Sequence, residues 1–374
     1  MINEDWNVVM SFFPKNWRWL AKRHKVLKGM RKDKNPEHFL RALLIHLGSG
    51  CSLRETSVRL RQANIADISD VALLKRLRKS KDYLHALCKS LLFESGKPEK
   101  RIRGSEFRLF DSTVIEEQGP TGSLWRIHYS IRFPSLRCDF LKLTPVKGHG
   151  NTESFLQYPI SKGDYILADR GYSKAKDIHY ASSANAHVCI RVNYQSLKLN
   201  DLNGRKFSLL ERLEEFLPEA GNIGEWDVLV PGKNGEAVPG RICALKKTAV
   251  SAERAQKKAR RRAEKDGAKI KEETLRFAKY VVLFTTFPKA YFSTEDVLEG
   301  YRFRWQIELI FKRFKQIANL GHLPKKDNTS IEAWVYGKLF VAILTQRIID
   351  YASSFSPWGY SLEKISRSKS LAGI

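Results

Sequence analysis

The chain of 374 residues carries 66 Lys and Arg against 40 Asp and Glu, a formal net charge of +26, with 43% hydrophobic and 11% aromatic residues. That length exceeds what one compact core usually holds, so two or three subdomains are expected. No long uncharged apolar run reads as a membrane span, and the acidic opening MINEDWNVVMSFFP is unlike the basic start of a signal peptide, so an intracellular place is expected. A charge excess of this size favours a polyanionic partner, nucleic acid first, because neutralised phosphates release their condensed counterions. Cys51, Cys88, Cys138, Cys189 and Cys243 are scattered singly and read as reduced packing residues, with neither a disulfide framework nor a zinc site signalled.

Residues 1–100 read as a helical, DNA-binding region. Apolar residues recur at i, i+3 and i+4. Within it, SLRETSVRL and SDVALLKRLRKS are two short helices, each opening on a Ser suited to cap it and separated by a brief polar turn. That pattern is compatible with a helix-turn-helix whose second helix presents Lys75, Arg76, Arg78 and Lys79 to DNA. A helical bundle with a solvated basic face fits the same pattern.

From residue 101 to 193 the period becomes strand-like. FRLFDSTVI, WRIHYSIRF and RCDFLKLTPV are three successive strands, followed by a short helical piece at TESFLQY, the strand of DYILADRGYS, a helix near 173–183 and the strand HVCIRV. Three consecutive strands imply an antiparallel meander, and the later alternation implies parallel additions. The expected fold class is therefore α/β, a mixed sheet with flanking helices. Residues 194–290 hold strand-like EWDVLVP, GRICALKK and KYVVLFTTF and one strongly basic helix, AERAQKKARRRAEKDGAKIKEE, with a break expected at Gly267; a span this long should be a partly β subdomain inserted in the core. Residues 291–350 return to the core. They begin with FSTED, where Ser293 or Thr294 caps and Asp296 sits in the first turn, and 351–374 read as a loose tail.

YRFRWQIELIFKRFKQ (301–316) reads as one amphipathic helix. At about 100° per residue, Tyr301, Arg304, Glu308 and Lys315 share an arc of roughly 60°. A surface salt-bridge ladder would explain the charges, but Arg before Glu at i, i+4 is the weaker order, and the neighbouring aromatics suggest a cleft wall. Two further carboxylates stand out. Asp111 interrupts the apolar strand FRLFDSTVI, where an unpaired acid is costly. Asp169 closes the strand YILAD, at the rim where α/β sites assemble. Three hard oxygen ligands without His or Cys select magnesium or manganese, and two such ions suit in-line phosphoryl displacement.

Asp111, Asp169 and Glu308, together with Y301-x2-R304-x3-E308-x6-K315, resemble the DDE triad and the Tyr-Arg-Glu-Lys signature of bacterial insertion-sequence transposases of the insertion-sequence four group. The resemblance runs from about residue 105 to 320. It implies a ribonuclease H-like core and metal-dependent cleavage at transposon ends, often through a hairpin. Transfer of the freed 3′-hydroxyl into target DNA would follow. It also implies two Mg2+ ions held by Asp111, Asp169 and Glu308, with Mn2+ able to substitute. Arg304 and Lys315 are expected on DNA phosphate, with Tyr301 supporting them. Arg170 stands where the family has an Arg after the second Asp, and Trp226 is the candidate for holding a displaced base. Terminal inverted repeats and target DNA are the implied partners, a homodimer the implied assembly and the bacterial cytoplasm, beside the nucleoid, the implied place. A nuclease of the same fold without strand joining, and a catalytically inactive DNA-binding regulator, are the alternatives.

Overall fold

The computed structural model describes residues 2–29, 34–94, 106–117, 124–133, 137–146, 152–232, 235–305, 307–309, 312, 316, 322–323 and 328–353. The chain divides into two compact units, one of Met1–Gly96, Ile115–Leu124 and Ile310–Ile374, the other of Lys97–Val114 and Trp125–Leu309.

The first unit is helical: α1 (Ile2–Ser11), α2 (Trp17–Arg23), α3 (Pro36–Gly48), α4 (Leu53–Gln62), α5 (Asp70–Lys79), α6 (Lys81–Glu94) and α12 (Asn328–Ser353). Ser52 and Ser69 cap α4 and α5 as expected, their side chains accepting from the Glu55 and Ala72 amides. Leu40, Leu43, Leu47, Leu60, Leu73, Leu77 and Phe340 form a buried interior. α12, expected with the strand-rich core, is found here instead, packed on α6, α3 and α5. Its Gly337 permits that approach, since a Cβ there would come within 2.3 Å of Leu47 Cδ1. A short strand, β9 (His322–Leu323), pairs in parallel with Glu116 and Glu117 at the end of β1.

The second unit is built on a mixed sheet. Its strands are β1 (Phe107–Glu117), β2 (Leu124–Phe133), β3 (Arg137–Pro145), β4 (Tyr165–Ala168), β5 (His187–Arg191), β6 (Ile223–Pro231), β7 (Ala237–Lys246) and β8 (Tyr280–Thr285), in the order β3-β2-β1-β4-β5-β8-β7-β6. β1, β4 and β5 run parallel, and β2–β3, β5–β8, β8–β7 and β7–β6 run antiparallel. Ile166 to Ala168 and Val188 to Ile190 are buried without alternation, as strands covered on both faces require. The helices of this unit are α7 (Ala175–Ser183), α8 (Leu209–Phe216), α9 (Ala249–Lys265), α10 (Glu272–Phe277) and α11 (Thr294–Arg302). The expected mixed sheet with helices is therefore present. The inserted stretch, however, does not stand apart: β6, β7 and β8 prolong the same sheet, and Val228, Ile242, Phe277 and Phe284 share one core cluster with Phe110 and Ile166. Gly267, at φ +63°, separates α9 from α10 at the expected break.

The amphipathic run at 301–316 is not one helix. α11 opens on a capping box in which Ser293 and Asp296 satisfy each other's amides. It tightens at its end, where the Phe303 and Arg304 amides bond three residues back to Gly300 and Tyr301. Helical geometry returns at 305 and 307–309. At this point the Phe303 ring stacks on Phe133 of β2 at 4.5 Å, a tertiary contact of which the apolar period, continuous through the turn, carries no sign.

Candidate active site

Register places two of the three carboxylates. Phe110 pairs with Ala168 across the parallel β1–β4 ladder, so the next residues, Asp111 and Asp169, emerge side by side. Asp111 Oδ1 accepts from the Ser112 amide at 2.8 Å and Oδ2 from the Tyr129 hydroxyl at 3.1 Å, while its backbone carbonyl accepts from the Tyr158 hydroxyl at 2.7 Å. Asp169 caps a tight turn, its Oδ1 accepting from the Gly171 amide at 2.8 Å. Burial, and then the charge of Asp169, push the Asp111 carboxyl up to about 7, against the pull of Ser112, Arg304 and Tyr129. Asp169 is raised too, by burial first and then by Glu153 and Glu308. Neighbouring acids whose ionisation is disfavoured by burial and by the charge of further acids mark a place where a cation is electrostatically favoured.

Glu153 is the residue that sequence reasoning missed. Its Oε1 accepts from Ser112 Oγ at 3.1 Å and from Arg126 Nη1 at 2.7 Å. Its Oε2 lies over Gly171, where a Cβ would meet it at 1.8 Å and Asp169 Oδ1 at 3.1 Å. One carboxylate thus abuts the residues that fix both aspartates. Nothing in the stretch HGNTES announces this, because the partners lie on β1, on β2 and beyond β4.

Glu308 is held differently. Tyr301 donates to the Ala168 carbonyl at 3.1 Å, just before Asp169, and the Arg304 guanidinium sits 5.9 Å from the Tyr301 ring centre. Arg304 pairs with Glu308, the ion pair that the residue order disfavours. It forms here because Arg304, 15% exposed, has its guanidinium inside the site, whereas the Glu308 side chain is 45% exposed. Arg304 Nη1 is buried without a hydrogen-bond partner among the described residues. The Tyr129 hydroxyl also reaches the Ile307 carbonyl at 3.4 Å, so the backbone ahead of Glu308 lies beside Asp111. Among the described residues no three His, Cys, Asp or Glu side chains are grouped closely enough to hold a metal ion. Glu308 is drawn to Arg304, although its charge is felt at Asp169.

The remaining candidates scatter. Arg170 is exposed in the turn after Asp169. Trp226 on β6 is half-buried against the core and meets Phe216 edge-on at 6.3 Å, as a packing residue does. Lys315 lies outside the described residues. In the helical unit Lys75 and Lys79 are exposed, while Arg76 donates to the Val26 and Lys28 carbonyls and Arg78 to Ser330 Oγ. No helix among the described residues is long and apolar enough to cross a membrane.

Comparison with known proteins gives a consistent picture. The model of a family described as the transposase DDE domain matches residues 149–344. InsL of insertion sequence element IS186A, from Escherichia coli (strain K12), is 29% identical over 375 residues, covering 97% of this chain and 98% of its own length. The transposase for insertion sequence element IS421, from Escherichia coli, is 29% identical over 376 residues, with the same coverage. The transposase for insertion sequence element IS231F, from Bacillus thuringiensis subsp. israelensis, is 33% identical over 98 residues, 25% of this chain and 20% of its own.

Proposed function

The chain belongs to the transposase DDE-domain family, and from that premise we propose that it cuts DNA at the ends of a mobile element and joins the freed 3′-hydroxyl to target DNA, with Asp111, Asp169 and Glu308 as its acidic centre. It is an insertion-sequence transposase, an enzyme that acts on DNA. The observation that carries the assignment of residues is the parallel register Phe110↔Ala168, after which two half-buried acids follow side by side, with the charge of an arginine, Arg304, felt at both. The sheet order around β1, with β4 and β5 in parallel, supports a ribonuclease H-like core.

The donor set fits a hard divalent cation: oxygen ligands only, at the end of a covered sheet, with both aspartates raised by burial and by the charge of neighbouring acids. Asp111, Asp169 and Glu308 are the residues to hold two Mg2+ ions, or Mn2+ in their place, which supply activation of the attacking oxygen and stabilisation of the leaving one. The chain's own residues do the positioning. Tyr129 orients the Asp111 carboxylate, and the Gly171 amide orients that of Asp169. Tyr301 braces the backbone before Asp169. Arg304 neutralises Glu308 in the free chain; its unused Nη1 gives it a donor for a DNA phosphate. Once Arg304 engages phosphate, Glu308 is released toward the aspartates. Arg170, beside Asp169, and Lys315 extend the DNA-facing set, Lys75 and Lys79 do so in the helical unit, and a homodimer brings two ends together.

The test uses DNA carrying the sequences that flank the coding region. Asp111→Asn and Asp169→Asn should abolish strand cleavage while binding to that DNA persists. Cleavage at the wild-type rate by either variant would remove the aspartates from the centre. Product joined to a second duplex distinguishes transposition from simple nuclease action.

A further inference from the structure

α9 has no buried residue along its 17 positions. Its partly buried positions are Ala252, Ala255, Gln256, Ala259 and Ala263, which at about 100° per residue fall within one arc of about 100°. This small-residue stripe is the face the helix turns to the protein, and Gln256 secures it by donating to the Leu275 carbonyl at 3.0 Å. Arg254, Lys257, Lys258, Arg261 and Lys265 occupy an arc of about 100° on the opposite side. None of these five has an ion pair among the described residues; Arg262, off that face, pairs with Asp266 at 3.8 Å. Glu253 and Glu264 border the row, and no acid lies within it.

Such a face is costly to a helix. Arg254 and Lys258, Lys257 and Arg261, and Arg261 and Lys265 are like charges at i, i+4, each opposing helix formation. The helix must draw on its Thr248 cap and the alanine stripe to hold its shape. The row is also well placed. β4, β5 and β7 all finish at one edge of the sheet, the edge that carries Asp169, and α9 leaves that edge two residues beyond β7. The charge of Arg262 is felt at Arg170, next to Asp169.

We propose that the outward face of α9 is a docking surface for the phosphate backbone of duplex DNA, holding it without regard to sequence near the acidic centre. The partner follows from charge complementarity. A row of cations that repel one another on a straight helix matches a regular polyanion, which removes the repulsion as it binds. The proposal rests on the reading of the chain as a DNA-acting enzyme and names a surface which that reading left unassigned.

Two quadruple variants of the full chain test it, each lowering the net charge by four. One is Arg254→Gln, Lys258→Gln, Arg261→Gln and Lys265→Gln. The other places the same charge loss on exposed residues elsewhere in this unit: Lys162→Gln, Lys198→Gln, Arg205→Gln and Lys206→Gln. Affinity for a short fluorescent duplex of random sequence is measured between about 50 and 200 mM salt. The α9 variant should bind on the order of tenfold more weakly or worse, and its slope of log affinity against log salt should shrink by about 2–4, roughly 0.9 for each lost phosphate contact. The other variant should keep the wild-type slope, and duplexes with and without the flanking sequences should be affected equally. An unchanged slope in the α9 variant, or an equal loss in both variants, overturns the proposal while leaving the acidic centre intact. Wild-type protein that binds no duplex at all overturns the DNA reading itself.

Discussion

Asp111 and Asp169 are held by a sheet, and Glu308 is held by a turn. The first two inherit their positions from strand register: four consecutive pairs from Phe107↔Tyr165 to Phe110↔Ala168 fix where the next residues emerge. Glu308 follows a helix that ends at Arg302, a tightened turn, and an ion pair with Arg304. On the proposed reading, one region of the acidic centre is preorganised by the sheet and the other is set by a replaceable partner, Arg304. Binding energy from DNA is the natural source of the last adjustment.

That contrast can be broken or sharpened by substitution. The largest effect is expected at the sheet: Asp111→Asn should lower cleavage by about 10³-fold or more with DNA binding retained. Glu308→Gln should match it in cleavage, because both regions are needed once DNA is bound. A Glu308→Gln enzyme with near-normal cleavage would break the account at its turn. Glu153→Gln should cost about 10–100-fold, the usual effect of removing a group that orients ligands, and Gly171→Ala should act in the same direction because its Cβ collides with Glu153 Oε2. Full activity in both would make Glu153 a bystander.

The sheet is legible in large part because its chemistry is local. Apolar runs interrupted by one acid announce β1 and the end of β4, and Ser52, Ser69, Ser293 and Asp296 state where helices begin. What the sequence hides depends on distant partners. The turn at Phe303 coincides with a ring contact to Phe133, far earlier in the chain, and periodicity runs straight through it. Glu153 gains its place from Ser112, Arg126 and Gly171. α8 goes unread within the insertion. The joining of β6–β8 to the main sheet follows from pairings between β5, β8 and β7 that the individual strand patterns do not encode. Lys315, on which the signature partly rests, lies outside the described residues.

Smaller effects probe the sheet's interior. His128 on β2 is buried, with Nε2 2.9 Å from Thr144 Oγ1; burial, then Arg126 and Lys142, push it down to about 4. The unfolded chain takes up that proton near pH 6.5, so this group's contribution to stability is present above about pH 6.5 and is lost as pH falls to about 4. Denaturant unfolding across this range should show it, and His128→Gln should flatten the dependence by one proton; an unaltered slope would place the titration elsewhere. Trp226→Ala should lower stability by about 1–2 kcal/mol, as loss of a half-buried aromatic does, while cleavage per folded molecule stays near wild type. A cleavage defect without loss of stability would return Trp226 to a role in handling a base.

The most direct test of the central contrast is Mn2+ affinity, measured by calorimetry on folded protein with and without cleavage-site DNA. Asp111→Asn should weaken Mn2+ binding in both conditions. Glu308→Gln should weaken it only when DNA is present, since Arg304 holds that carboxylate in the free chain. An equal loss for Glu308→Gln without DNA would contradict the division between sheet-held and turn-held ligands.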